Sequence, residues 1–214
     1  MDALTALKKI CDSGIVAVLR GNFPPEKVLP VCEVLLQEGI AAVELTRNSV
    51  GWTEALPALR QRFGDDLLVG VGTLLNHVQV REAIDGGAQF IVAPSLDAQS
   101  VSTAHAAGLL MAPGVATPTE AVQAAALGCK LIKFFPAGPL GVSYFKTMRG
   151  PLNDLAFMCN GGINQENIAA FMRAGAAACG VGGDALSGDG SRPLDDIRAN
   201  AARLVALVKE ARAK

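Results

Sequence analysis

Two residues of this 214-residue chain combine the types and surroundings that carbonyl chemistry needs. Lys133 lies in Leu131-Ile132-Lys133-Phe134-Phe135-Pro136, a run that is otherwise wholly apolar. An isolated ammonium in such surroundings is costly, so burial favours the uncharged amine. That amine is a nucleophile and condenses with ketones to form Schiff bases. The structural alternative is a lysine that snorkels to water or pairs with a carboxylate. Glu44 lies in a second apolar run, Ala41-Ala42-Val43-Glu44-Leu45-Thr46. A buried glutamate beside a buried lysine is either a structural ion pair or a proton shuttle beside a nucleophile.

The elements that must position these residues follow from a repeat. Glycines recur just ahead of apolar runs, at Gly14, Gly39, Gly64, Gly87, Gly108, Gly128, Gly150 and Gly175. The spacing stays at roughly 20–25 residues, the length of a strand, a helix and short loops. Pro25 through Gln37 and Asn76 through Asp85 carry helical apolar stripes. Thr117-Pro118-Thr119-Glu120 is a helix start with an N-cap threonine and Glu120 at N3. Asn164-Gln165-Glu166 opens another helix, Ile168 to Met172. Strands alternating with helices predict a parallel sheet, and eight such units predict a closed (β/α)8 barrel in one domain, residues 1–214. A helix over 2–12 is expected to cover the barrel bottom, and another spans about 193–212. An open doubly wound sheet is the competing architecture.

Barrel sites form at the C-terminal ends of the strands. Those ends carry Arg20, Glu44, Thr73, Pro94, Lys133, Gly161-Gly162 and Gly182-Gly183. Alternation places Glu44 on one face with Ala42, Thr46 and Asn48, and Lys133 with Leu131 and, nearly, Phe135. Arg47 has the outward parity. Gly161-Gly162 and Gly182-Gly183 each precede a helix after strands seven and eight, where bare backbone N–H groups suit a phosphate. Asp184, next to the second pair, would repel that anion unless it caps a turn and points away.

Composition narrows the partners. The formal charge is −1, from 19 basic and 20 acidic residues spread along the chain. No basic block suggests nucleic acid, and no apolar run approaches membrane-spanning length. Five cysteines without paired spacing read as reduced, mostly buried residues of a cytoplasmic protein. Two histidines without a nearby carboxylate cluster give poor support for a metal site.

The chain resembles the family of 2-keto-3-deoxy-6-phosphogluconate and 4-hydroxy-2-oxoglutarate aldolases. The matching stretches are Ile15 to Arg20, Val43-Glu44-Leu45-Thr46, Gly70 to Leu74, Pro113 through Glu120, Lys133-Phe134-Phe135-Pro136-Ala137 and Gly161-Gly162-Ile163. The resemblance implies a class I aldolase on a (β/α)8 barrel, a homotrimer that needs no cofactor. It implies Lys133 as the Schiff-base lysine and Glu44 as general acid/base. Arg20 and Thr73 would hold the pyruvoyl part, with Pro94 and Phe135 lining the pocket. Gly161, Gly162, Gly182 and Gly183 would form the phosphate loops. Two departures stand out. Asn48 occupies the substrate-binding position where gluconate-type enzymes carry arginine, and Asp184 replaces a frequent serine. Asn48-Ser49, Trp52 and Gly182-Gly183-Asp184 are similar to the 2-keto-3-deoxy-6-phosphogalactonate branch. The expected products are pyruvate and glyceraldehyde 3-phosphate from either epimer, or pyruvate and glyoxylate from 4-hydroxy-2-oxoglutarate. Isomerising or decarboxylating phosphate barrels, and a phosphate-binding barrel without catalysis, are the rivals. None of these needs a lysine inside an apolar strand.

Overall fold

The computed structural model describes residues 1–213. Nine strand segments form one parallel sheet: β1 Ile15–Leu19, β2 Ala42–Thr46, β3 Leu68–Gly72, β4 Phe90–Val92, β5 Leu110–Ala112, β6 Gly114–Val115, β7 Ile132–Phe134, β8 Phe157–Asn160 and β9 Ala178–Gly182. Their order is β5-β4-β3-β2-β1-β9-β8-β7-β6. The two ends of this ladder, β5 and β6, are joined through Pro113 alone, which closes the circuit. The nine segments therefore occupy the eight strand positions expected of the barrel. The fifth position does not run unbroken through Pro113. It is interrupted there, because proline has no N–H to give to the ladder, and resumes at Gly114 opposite Lys133.

Helices fill the connections: α1 Ala3–Ser13, α2 Pro25–Gln37, α3 Trp52–Phe63, α4 His77–Asp85, α5 Ala98–Ala106, α6 Pro118–Ala126, α7 Ala137–Arg149, α8 Ile168–Arg173 and α9 Leu194–Arg212. The local chemistry explains their ends. Asp2 accepts from the Thr5 amide at the start of α1, and Gly14 ends it in the left-handed conformation at φ 69°. Thr117 and Glu120 form a reciprocal capping box at α6. Asn164 works differently from Thr117. Its side chain accepts from the Glu166 and Asn167 amides and folds a turn before α8, whose own N-cap, Asn167, makes no side-chain cap bond.

Two apolar compartments result. The larger lies between the strands and the helix ring. The smaller fills the lumen, with Val16, Ala42, Leu68, Leu131, Met158 and Ala178 among its side chains. Ala6 and Ile10 of α1 enter this cluster and are fully buried, so the first helix plugs the bottom. The filled floor leaves the opposite, C-terminal rim as the place for a cavity.

Candidate active site

A cavity of about 1420 Å³ opens at that rim. Val18, Glu44, Lys133, Asn160 and Gly180 form part of its floor and wall, one layer above the lumen cluster. Lys133 is 5% exposed, although its strand is otherwise apolar. Among the described residues it makes no ion pair. Its Nζ lies 5.0 Å from the centroid of the Phe135 ring. Glu44 is fully buried, and neither carboxylate oxygen has a hydrogen-bond partner. A buried carboxylate left unpartnered is expensive. The expense is understandable where a ligand or its proton completes the group. The structural ion pair that the sequence allowed is therefore not formed: lysine and glutamate share one enclosure without neutralising each other.

Glycines make this crowding possible. A Cβ on Gly72 of β3 would overlap Glu44 Oε1 on the neighbouring strand. A Cβ on Gly180 of β9 would overlap the Asn160 side-chain amide on β8. Each bare position lets the adjacent strand's polar side chain lean across it. Gly161, at φ 82°, likewise accepts the Phe135 ring, whose edge would lie 2.7 Å from a Cβ there.

Arg20 donates from Nη2 to Thr73 Oγ1 at 3.2 Å. Thr73 has φ 63°, a left-handed conformation that is strained for a β-branched residue. Strain of this kind concentrates where a side chain must be aimed. The two glycine pairs line the other flank of the cavity. Asp184 also lines it. Its side chain is fully exposed and lies 3.6 Å from the Arg192 guanidinium.

Of the residues singled out from sequence, the cavity gathers Lys133, Glu44, Arg20, Phe135, Gly161, Gly162, Gly182 and Gly183. Thr73 joins them only through Arg20. Pro94 is half-buried off the lining, with its carbonyl pressed close to Gly114. Asn48 corrects the expectation that alternation keeps it beside Glu44. β2 ends at Thr46, the period of two ends with it, and Asn48 lies exposed in the following turn. Thr46 is buried and bonds Ser49, 2.7 Å away, rather than facing the cavity. Arg47 points outward as its parity requires and pairs with Glu82 at 3.0 Å.

Asn160 and Arg192 are among the lining residues to which sequence reasoning gave no role. Asn160 is 3% exposed, and its Oδ1 has no partner. Its only signal in the sequence is its place at a strand exit, before Gly161. Among the described residues no group of three or more His, Cys, Asp or Glu side chains is arranged to hold a metal ion.

The family model for KDPG and KHG aldolases matches residues 7–198. The chain belongs to this family. An Escherichia coli relative, 2-dehydro-3-deoxy-6-phosphogalactonate aldolase, is 36% identical over 171 residues, covering 79% of this chain and 83% of that protein. A Treponema pallidum relative, 2-dehydro-3-deoxy-phosphogluconate aldolase, is 33% identical and covers 69% of this chain and 70% of its own length. A solved structure described as native KDPGal superposes with a TM-score of 0.88 at 32% identity, covering 94% of this chain and 96% of that one. The barrel, the helix ring and the rim cavity are thus those of a KDPG/KHG-family aldolase, a carbon–carbon lyase.

Proposed function

We propose that this aldolase cleaves a 2-keto-3-deoxy-6-phospho sugar acid, of gluconate or galactonate configuration, into pyruvate and glyceraldehyde 3-phosphate through an imine on Lys133. The observation that carries the reading is the unpaired Lys133 and the unpaired, buried Glu44 in one cavity. The uncharged Lys133 amine adds to the C2 ketone, and the carbinolamine loses water to leave an iminium ion. Glu44, through a water, takes the C4 hydroxyl proton. The C3–C4 bond breaks, its electron pair moves into the iminium to give an enamine, and the aldehyde leaves. Glu44 then returns the proton to C3, and water hydrolyses the imine to free pyruvate and the amine. Arg20, braced by Thr73, suits the substrate carboxylate through its two-pronged guanidinium. The 6-phosphate falls to the backbone amides of the glycine pairs. Phe135 shapes the apolar side.

Borohydride reduction in the presence of pyruvate tests the mechanism. One adduct that maps to Lys133 is expected, and absence of an adduct defeats the proposal. Cleavage rates for the two phosphorylated epimers and for 4-hydroxy-2-oxoglutarate then rank the substrates. The relatives named above favour the phosphorylated acids over the unphosphorylated one. Homotrimer formation is part of the proposal. Leu75 and Val78 near the start of α4, and Val122 and Leu127 at α6, leave large apolar side chains exposed that a second copy would cover. Light scattering should give about three times 22.1 kDa. A cytoplasmic location fits the free thiols. Among the described residues no helix is long and apolar enough to cross a membrane.

A further inference from the structure

The flank of the cavity that holds the glycine pairs is rich in negative charge. Glu166, Asp184, Asp189 and Asp196 all line it. A phosphate dianion approaching backbone amides there meets a repulsive rim, which two or three neutral N–H groups offset poorly at close range. The cationic side chains of the lining are Arg20, Lys133 and Arg192. Arg20 is turned toward Thr73, and Lys133 lies at the floor beside Phe135. Arg192 is the cation on the acidic flank.

Arg192 is held in a built loop. Asp189 accepts from the Asn22 amide at 2.8 Å, and both Gly21 and Gly190 come so close to the opposite backbone that a Cβ on either would overlap it. Gly188, at φ 63°, folds back and donates its N–H to the Gly183 carbonyl at 2.8 Å. Its bare Cα lies against the Arg192 stem, 3.4 Å separating a Cβ built there from Nε. The guanidinium thereby lines the same cavity as Gly183 with only a loose partner, Asp184 at 3.6 Å. An exposed ion pair of that length contributes little and exchanges readily. A phosphate offers the planar fork two oxygens at once, a stronger match than one distant carboxylate.

We propose that Arg192 determines the preference for a phosphorylated substrate, leaving Asp184 to clamp the phosphate when it arrives. The proposal rests on the aldolase reading above. Asp184 keeps the guanidinium at the mouth in the free enzyme, and the incoming dianion displaces it.

The test compares Arg192→Ala, Arg192→Lys and Asp184→Asn with the parent enzyme. Arg192→Ala should raise KM for the phosphorylated acid by about 10- to 100-fold, with kcat held within about twofold. Its KM for 4-hydroxy-2-oxoglutarate and its borohydride trapping of pyruvate should stay at parent values. Arg192→Lys should fall between, and it carries the test alone should the alanine variant not fold. Asp184→Asn should lower KM for the phosphorylated acid by about two- to fivefold at low salt. Calorimetry with glycerol 3-phosphate gives a readout free of turnover: Arg192→Ala should weaken it by the same factor as KM. A phosphorylated-substrate KM that does not move, or one that rises equally with that of 4-hydroxy-2-oxoglutarate, overturns the assignment. Failure of the parent to trap pyruvate would instead overturn the aldolase mechanism, and glycerol 3-phosphate binding would still report on Arg192.

Discussion

At the scale of single residues, the site is governed by groups kept without partners. Glu44 is fully buried and accepts no hydrogen bond from the protein, so its carboxylate is available for proton transfer. Glu44→Gln should leave pyruvate trapping on Lys133 intact and reduce kcat by about 10²–10⁴-fold. Equal turnover in the variant would assign the shuttle elsewhere. Lys133→Ala should show neither adduct nor turnover. Gly72→Ala is a more searching change, since the added methyl claims the space of Glu44 Oε1. It should displace the carboxylate and lower kcat while the barrel still folds, as read by circular dichroism beside the rate. A lower rate with the fold intact would tie the position of Glu44 to the bare Cα of Gly72. The chemistry of Lys133 and Glu44 was legible in the sequence because a charge in an apolar run is conspicuous. Asn160 was not, because a strand-end asparagine has the same appearance whether it caps a turn or faces a cavity.

At the scale of elements, local rules specify most boundaries. Asp2, Asn76, Asp97 and Thr117 each accept from the amide three residues on and so begin α1, α4, α5 and α6. Thr117→Ala should cost about 1 kcal/mol in chemical denaturation. Glu120 adds a pH dependence. The Ala116 amide, then the Thr117 hydroxyl, hold its carboxyl below the usual range. A depressed folded-state value means that its contribution is fully present above the unfolded value and is lost as pH falls through the folded one. The stability gap between parent and Glu120→Gln should therefore be wider at pH 7 than at pH 3. Where the sequence misled, an element had ended. Period-two reasoning set Asn48 on the face of Glu44, but the ladder stops at Thr46. Arg192 eluded the same reasoning for a related cause. Its meeting with Asp184 depends on an irregular loop that has no period to read.

At the scale of the whole molecule, the barrel is a circuit whose floor is supplied by the first helix and secured by the last. Arg212 of α9 donates to the carbonyls of Asp12, at 2.8 Å, and Ala177, at 3.1 Å, as well as to that of Cys11. Ile10→Ala empties part of the lumen floor and should cost about 2–5 kcal/mol, measured by urea unfolding. The thiols report on the closed shell from outside. Burial pushes Cys179 up to about 12 and Cys129 to about 11, and raises Cys32 further still. A thiol reagent at pH 8 should label Cys11 slowly in the native protein and all five cysteines after unfolding. The repeat of glycine and apolar run made the circuit readable in advance, down to the eight strand positions. Pro113 was harder to interpret, since a proline after an apolar run marks an end as readily as an interruption. The bare positions at Gly72 and Gly180 have a practical corollary for anyone redesigning this scaffold. Randomising the strands around the nucleophile would mostly return dead variants, because the inner wall has already spent its free volume. Libraries confined to residues 184–192 would keep the catalyst intact and change which aldehyde-bearing tail it welcomes.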